Sequence, residues 1–289
     1  MAGRARCAVG VPNVGEFGDP LLLVELAVAA EEQGWDGFFL WDHQLWHDQR
    51  WQVADPVVVI AAVAASTAAI KTGILVNVLA RRRVGKVARE SVTLDVLSGG
   101  RLIVGAGLGA SPAEFTAFGE SGDARVRAGR LDESLDILAG LWSGEPVTFH
   151  GSYLTAAEVT MLPRPVQRPR IPIWCGGRWP NKAPFRRAAR WDGVMPTHVR
   201  YGLGETMPPE DLRDVVRFTH QHRTGDGPFD VVLEGRTDGT APDRAAQHIA
   251  PYVEAGLTWW IEALGWWRGT PADAMTRIRQ GPPVLSLSD

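Results

Sequence analysis

Short, almost wholly apolar runs recur along this chain, separated by stretches in which apolar residues return at helical spacing. Cys7–Val11 is the first run. Pro20–Gln33 then places Leu22, Leu23, Leu26, Ala27 and Ala30 on one helical face before Gly34 ends it. Gly37–Trp41 is the second run and closes on Asp42-His43, with an alanine-rich helix expected over Pro56–Ala69. Thr72–Leu79 is the third, after which Arg81-Arg82-Arg83 leads into a helix through Leu97 and reads as an exposed basic helix start. Arg101–Gly105 is the fourth, followed by Arg125–Trp142 with Leu131, Leu135, Leu138 and Trp142 on one face. Ile171–Cys175, Gly193–Thr197, Phe229–Glu234 and Leu257–Ala263 supply the remaining strands, each with a helix behind it. Only 145–170 breaks the rhythm: Val147–Leu154 predicts a small hairpin, and Pro163, Pro165, Pro169 and Pro172 exclude a helix there.

Strand-helix units repeated in this way over 289 residues predict an α/β fold, a compact (β/α)8 barrel spanning 1–289 as one domain. The hairpin is an excursion from it. An open doubly wound sheet is the alternative. In the barrel, every residue just after a strand converges on one mouth, the rim where such folds carry their sites.

Composition narrows the partners. A net charge of −3 and 22% charged residues give no bias toward nucleic acid or an anionic membrane surface, and no apolar run is long enough to span a bilayer. Cys7 and Cys175 lie far apart in strand-like contexts, which predicts buried free thiols and fits a reducing cytoplasm.

The most informative stretch is Asp95–Phe115, DVLSGGRLIVGAGLGASPAEF: a helix end, a turn, an apolar strand and a glycine-rich loop. Gly105, Gly107 and Gly109 fall at alternate positions before Ser111-Pro112, so this is not the G-x-G-x-x-G spacing of a dinucleotide fingerprint. Such glycines either leave N–H groups free for a ligand or make room for packing. The other strand ends bring Asp42-His43, Asn77, Gly176-Gly177-Arg178, His198, Arg236 and Trp266-Trp267. Glycine backbone with arginines and indoles suits a planar cofactor with a phosphate tail. A metal site would rest on Asp42, His43, His47 and Asp48, and it lacks further ligands at other strand ends apart from His198, so no metal is assigned.

DVLSGGRLIVGAGLG, Arg127 with the RLDESLDILAGLW helix behind it, LPRPVQRPRIPIWCGG and AARWDGVMP together resemble the bacterial luciferase-like superfamily of flavin- or F420-dependent oxidoreductases, over nearly the whole chain. The resemblance implies a (β/α)8 barrel holding FMN or deazaflavin F420 at its mouth and acting on a small organic substrate as a monooxygenase or hydride transferase. His43 matches the histidine near the reacting ring, with Asp42 as its acidic neighbour. Leu75-Val76-Asn77 matches a strand end that often carries a non-proline cis peptide under the ring. Arg127 matches a phosphate-binding arginine, and Gly176-Gly177 a loop on the cofactor phosphate. Gly107, Leu108 and Gly109 belong to the same cofactor side, with Leu108 standing where bacterial luciferase has a second phosphate-binding arginine.

On the substrate side the resemblance leaves Trp46, His198, Arg236, Trp266 and Trp267, with Trp41 also placed to stack on a planar ring. A homodimer, and a flavin reductase or F420 reductase supplying reduced cofactor, are partners consistent with such an enzyme. A non-catalytic or degenerate flavin-binding barrel is the alternative function, because fold does not fix function.

Overall fold

The computed structural model describes residues 5–46 and 49–285. Its strands are β1 (Arg6–Val11), β2 (Gly37–Leu40), β3 (Lys71–Asn77), β4 (Leu102–Ala106), β5 (Val147–His150), β6 (Thr155–Val159), β7 (Ile173–Trp179), β8 (Gly193–His198), β9 (Asp230–Gly235) and β10 (Trp259–Ala263). Its helices are α1 (Pro20–Glu32), α2 (Pro56–Ser66), α3 (Val84–Leu97), α4 (Ala113–Thr116), α5 (Ala124–Leu141), α6 (Ala183–Ala188), α7 (Pro209–Gln221), α8 (Pro242–Glu254) and α9 (Pro271–Arg279). Eight strands close into a parallel barrel in the order β1-β10-β9-β8-β7-β4-β3-β2, the predicted (β/α)8 fold. β5 and β6 pair as a separate antiparallel hairpin that runs on to Val159, beyond the expected Leu154. Glu133 on α5 holds its turn by accepting the N–H groups of Ser152, Tyr153 and Leu154.

Strand alternation divides the apolar residues into two sets. Phe39, Leu75, Ile103, Trp174, Met195, Val232, Trp259 and Ile261 fill the barrel interior. Cys7, Val9, Phe38, Leu40, Val104, Cys175, Val231 and Leu233 face the helices. Both cysteines are buried and neither forms a disulfide among the described residues, and burial pushes the Cys175 thiol up to about 12. The lower end of the barrel is plugged by Asp230, whose carboxylate accepts the indole N–H groups of Trp174 and Trp259 at 3.2 and 3.1 Å.

Capping residues start the helices that the pattern predicted. Asp19, Asp55 and Asp123 accept first-turn N–H groups, and Thr270 forms a reciprocal capping box with Asp273. The proline-rich passage before β7 is latched to α3, where the buried Asp95 carboxylate accepts the N–H groups of Val166 and Gln167 and the Gln167 amide. No helix among the described residues is long and apolar enough to cross a membrane.

Candidate active site

Beyond β2 the chain turns over a buried ionic cluster with His43 at its outer edge. Asn13, fully buried after β1, fixes the backbone on both sides of His43: it accepts the His43 N–H at 3.1 Å and donates to the His43 carbonyl at 2.9 Å. His43 Nδ1 lies 2.7 Å from Oε1 of Glu114, which sits on α4 beyond the β4 loop. Glu114 Oε2 accepts the Gln44 N–H and the Arg81 guanidinium, each at 2.8 Å. Arg81 also donates to Asp42 Oδ1 at 2.7 Å, while Asp42 Oδ2 accepts the Val78 N–H at 2.8 Å. Two carboxylates therefore flank one guanidinium, and every oxygen is bonded.

This cluster corrects two expectations. Arg81 is not an exposed helix start but a buried cation with 1% of its side chain accessible. Only Arg83 of the three arginines is exposed. Asp42 carries no free oxygen for chemistry, because Arg81 and Val78 occupy both, so it acts on His43 only by shaping the turn. The acidic partner of the histidine ring is Glu114 instead. Burial raises the Glu114 carboxyl, but hydrogen bonds from His43 and the Gln44 N–H, with the charges of His43 and Arg81, outweigh it and hold the group below the usual carboxylate range. An ionised Glu114 keeps a proton on Nδ1 and leaves Nε2 as the acceptor in the neutral ring. His43 borders a cleft of about 480 Å³ shared with Gln44, Val53, Asp55, Arg82 and Phe118, a volume in the range of small-molecule sites. His47 and Asp48 lie outside the described residues.

On the next strands the Leu75–Val76 bond is cis, and the β3 register with β4 slips between Ile74 and Asn77. Val76 thereby joins Leu75 in the barrel interior. The glycines around it answer the packing question. A Cβ on Gly107 would lie 2.3 Å from Val76 Cγ2, and one on Gly176 3.0 Å from Val76 Cγ1. The Gly107 N–H donates to the Asn77 carbonyl at 3.2 Å, so it is not free for a ligand. Gly176 and Gly177 lie inside β7, in register with Met195 and Pro196, rather than in a loop after it. A Cβ on Gly177 would strike Pro184. Gly109 alone of these adopts a positive φ, 79°, where a side chain would be strained. Asn77 faces away from the mouth, lining a cavity of about 20 Å³ under α3 with its Oδ1 unpartnered.

Arg127, in the first turns of α5, reaches the same loop. Its Nη1 donates to the carbonyls of Leu108 and Gly109 at 3.1 and 3.2 Å, and its guanidinium lies over Phe115 at 5.0 Å. It is buried, has no carboxylate partner among the described residues, and its Nε has no hydrogen-bond acceptor. A buried cation held only by carbonyl oxygens, with one donor open, fits an anionic group such as a phosphate.

The opposite half of the mouth is aromatic. Trp41 stacks on Trp267 with centroids 5.1 Å apart and meets Trp266 edge-on at 6.0 Å. Trp46 contacts the His43 ring at 4.7 Å and Trp266 at 5.0 Å. His198, expected to meet substrate, is buried and turned outward: its Nδ1 accepts the Arg200 N–H at 3.0 Å and its Nε2 faces Asp211 of α7 at 3.6 Å. Strand alternation puts Thr197 on the inner side in its place. Arg236 is exposed just beyond β9, with no ion-pair partner among the described residues.

A family model for luciferase-like monooxygenases matches residues 18–208. The chain belongs to that family. Among its relatives, an F420-dependent glucose-6-phosphate dehydrogenase of Microbacterium testaceum is 34% identical over 168 residues, 57% of this chain and 49% of that protein. The chain thus spans about half the length of that curated relative in the alignment. The protein of the same description from Amycolatopsis mediterranei is 33% identical over 299 residues, with 86% and 90% covered. A type II Baeyer–Villiger monooxygenase from Pseudomonas putida, solved with FMN, superposes with a TM-score of 0.77 at 15% identity, covering 99% of this chain and 100% of that one. At that identity the likeness speaks for the fold.

Within this luciferase-like barrel, Asn13 and Glu114, which sequence reasoning missed, and Arg81, which it placed on the surface, do much of the positioning. Glu114 lies inside the glycine-rich stretch singled out above, and only its long-range contact with His43 distinguishes it from a surface helix residue.

Proposed function

We propose that this protein is an F420-dependent oxidoreductase that moves hydride between a small alcohol or carbonyl compound and the deazaflavin. The observation that carries this reading is the hydrogen bond between Glu114 and His43, whose ring lines the cleft, in a chain with a relative, aligned over most of both lengths, that is named for F420. The Val76 bulge, the Leu108–Gly109 loop and Arg127 would hold the cofactor, with Arg127 toward a phosphate. A bound deazaflavin supplies a two-electron hydride carrier; FMN would add reactivity toward oxygen.

The chain's own residues manage the proton. Glu114 orients the imidazole and fixes the tautomer, so Nε2 is the atom that takes or gives a proton at a substrate oxygen. Trp41, Trp46 and Trp266 exclude water from that side. A reducing cytoplasm, a homodimer and an F420 reductase as source of reduced cofactor complete the proposal.

Fluorescence titration with F420 and with FMN, each oxidised and reduced, tests it. Micromolar binding of F420 with none of FMN is expected. Tight FMN binding alone would move the reading to a monooxygenase, and cofactor binding without turnover of any alcohol would favour a non-catalytic barrel.

A further inference from the structure

Glu234 occupies a position that neither the cofactor side nor the His43 cluster uses. It follows Val232 on the inner face of β9, so its carboxyl points into the barrel above the apolar interior. The contrast with Asp230, four residues earlier on the same face, is informative. Asp230 accepts from Trp174, Trp259 and Thr258, whereas Glu234 has one long contact, the Trp41 indole N–H at 3.4 Å. Gly10 on β1 lies beside it, where a Cβ would come to 3.6 Å from Glu234 Oε1 and 2.7 Å from Ile261 Cγ2. The residue is half-buried rather than sealed in.

Among the described residues this carboxyl forms no ion pair. The inner faces packed around it present Met195 and Thr197 from β8, Ile261 from β10, Gly10 from β1 and Trp41 just beyond β2. Glu262 on β10 points outward to Arg268 and Arg277. On the Trp41 side the His43 ring lies with its centroid 5.9 Å from that indole, and Arg236 lies beyond the strand end, exposed. Burial therefore pushes the Glu234 carboxyl up to about 7, with the Trp41 hydrogen bond opposing only in part.

Resting on the oxidoreductase reading above, we infer that Glu234 is the residue that recognises the substrate's reacting oxygen or a neighbouring one from the indole side of the mouth. When ionised it accepts a hydrogen bond from an alcohol, and when protonated it donates one to the corresponding carbonyl. The indoles Trp41, Trp266 and Trp267 supply the apolar wall, so the substrate class is an alcohol or ketone on an apolar or aromatic body. The two redox forms then differ in the proton state they select. Alcohol binding releases a proton and ketone binding takes one up.

Calorimetric titration of the protein loaded with reduced F420 against 1-phenylethanol, and loaded with oxidised F420 against acetophenone, pairings in which no hydride can move, in buffers of different ionisation heat near pH 7, reads those protons directly. Proton release with the alcohol and uptake with the ketone are expected in the parent, and neither in Glu234→Gln. Ketone affinity should fall by up to about tenfold per pH unit above pH 7 in the parent and stay flat in the variant. The inference is overturned if the proton changes persist in Glu234→Gln but vanish in His43→Gln, if both probes show the same sign, or if neither probe binds. F420 fluorescence on the same samples separates the outcomes, because lost cofactor binding in the parent sinks the underlying function instead.

Discussion

The two halves of the barrel mouth handle polar groups in opposite ways. On the side of β2 and β4, the buried Asp42, Glu114 and Arg81 and the half-buried His43 bond so completely to one another and to nearby N–H groups that no carboxylate oxygen is spare. On the side of β9 and β10, a single carboxyl, Glu234, sits among indoles with one weak donor. The surroundings set the carboxyl in each case. Glu114 lies below its ordinary range because cations and N–H groups surround it, and Glu234 lies above because burial is offset only by the Trp41 indole N–H. A fully paired cluster holds geometry; an under-paired group exchanges protons and answers a ligand.

The largest effect should come from breaking the paired side. Glu114→Ala leaves Arg81 and His43 without their shared carboxylate, and chemical denaturation should show a loss of about 3–5 kcal/mol. Glu114→Gln keeps the shape and should lose less. The parent's stabilisation from Glu114 has a definite pH window: with a lowered folded pKa, it is complete above the unfolded value and disappears as pH falls through the folded one. A Glu114→Gln variant with the same acid limb as the parent would contradict the network.

Glu234 should show the reverse dependence. Its folded pKa, about 7, stands above the ordinary value of 4.5, so its contribution is complete below about pH 4.5 and lost as pH rises through about 7. Between about pH 8 and about pH 5 the parent should gain roughly 2 kcal/mol relative to Glu234→Gln. Parallel stability curves would remove the contrast between the two halves.

Gly107→Ala tests the packing beneath the cofactor side. The added methyl would lie 2.3 Å from Val76 Cγ2 and should cost about 2 kcal/mol, read by thermal unfolding. An unchanged midpoint would mean that the Val76 bulge yields. Arg127→Ala should weaken cofactor binding by about 1–2 kcal/mol in a fluorescence titration, while the fold survives. The smallest effect belongs to Arg236→Met. Stability should move by less than about 0.5 kcal/mol, because Arg236 is exposed and has no ion-pair partner among the described residues, and any effect should fall on acidic substrates more than neutral ones.

The chain by itself determined the barrel. Apolar runs long enough for a doubly covered strand, helical faces such as Leu131, Leu135 and Leu138, and caps such as Asp55 are local signals, and all eight barrel strands fall where those runs lie. His43 was equally legible, since it ends the second run on the rim where a barrel gathers its chemistry. Only the tertiary structure decided what each neighbour does. A one-residue step along β8 turns His198 outward and Thr197 inward, and runs of hydrophobicity do not fix strand ends to one residue. Gly107 and Gly176 proved to be clearances for a side chain from another strand, and Arg81 found its carboxylates 39 and 33 residues away. Such pairings depend on which loops closure brings together, a long-range property with no period of its own, and so Glu114 and Glu234 acquire their opposite characters only when the barrel closes.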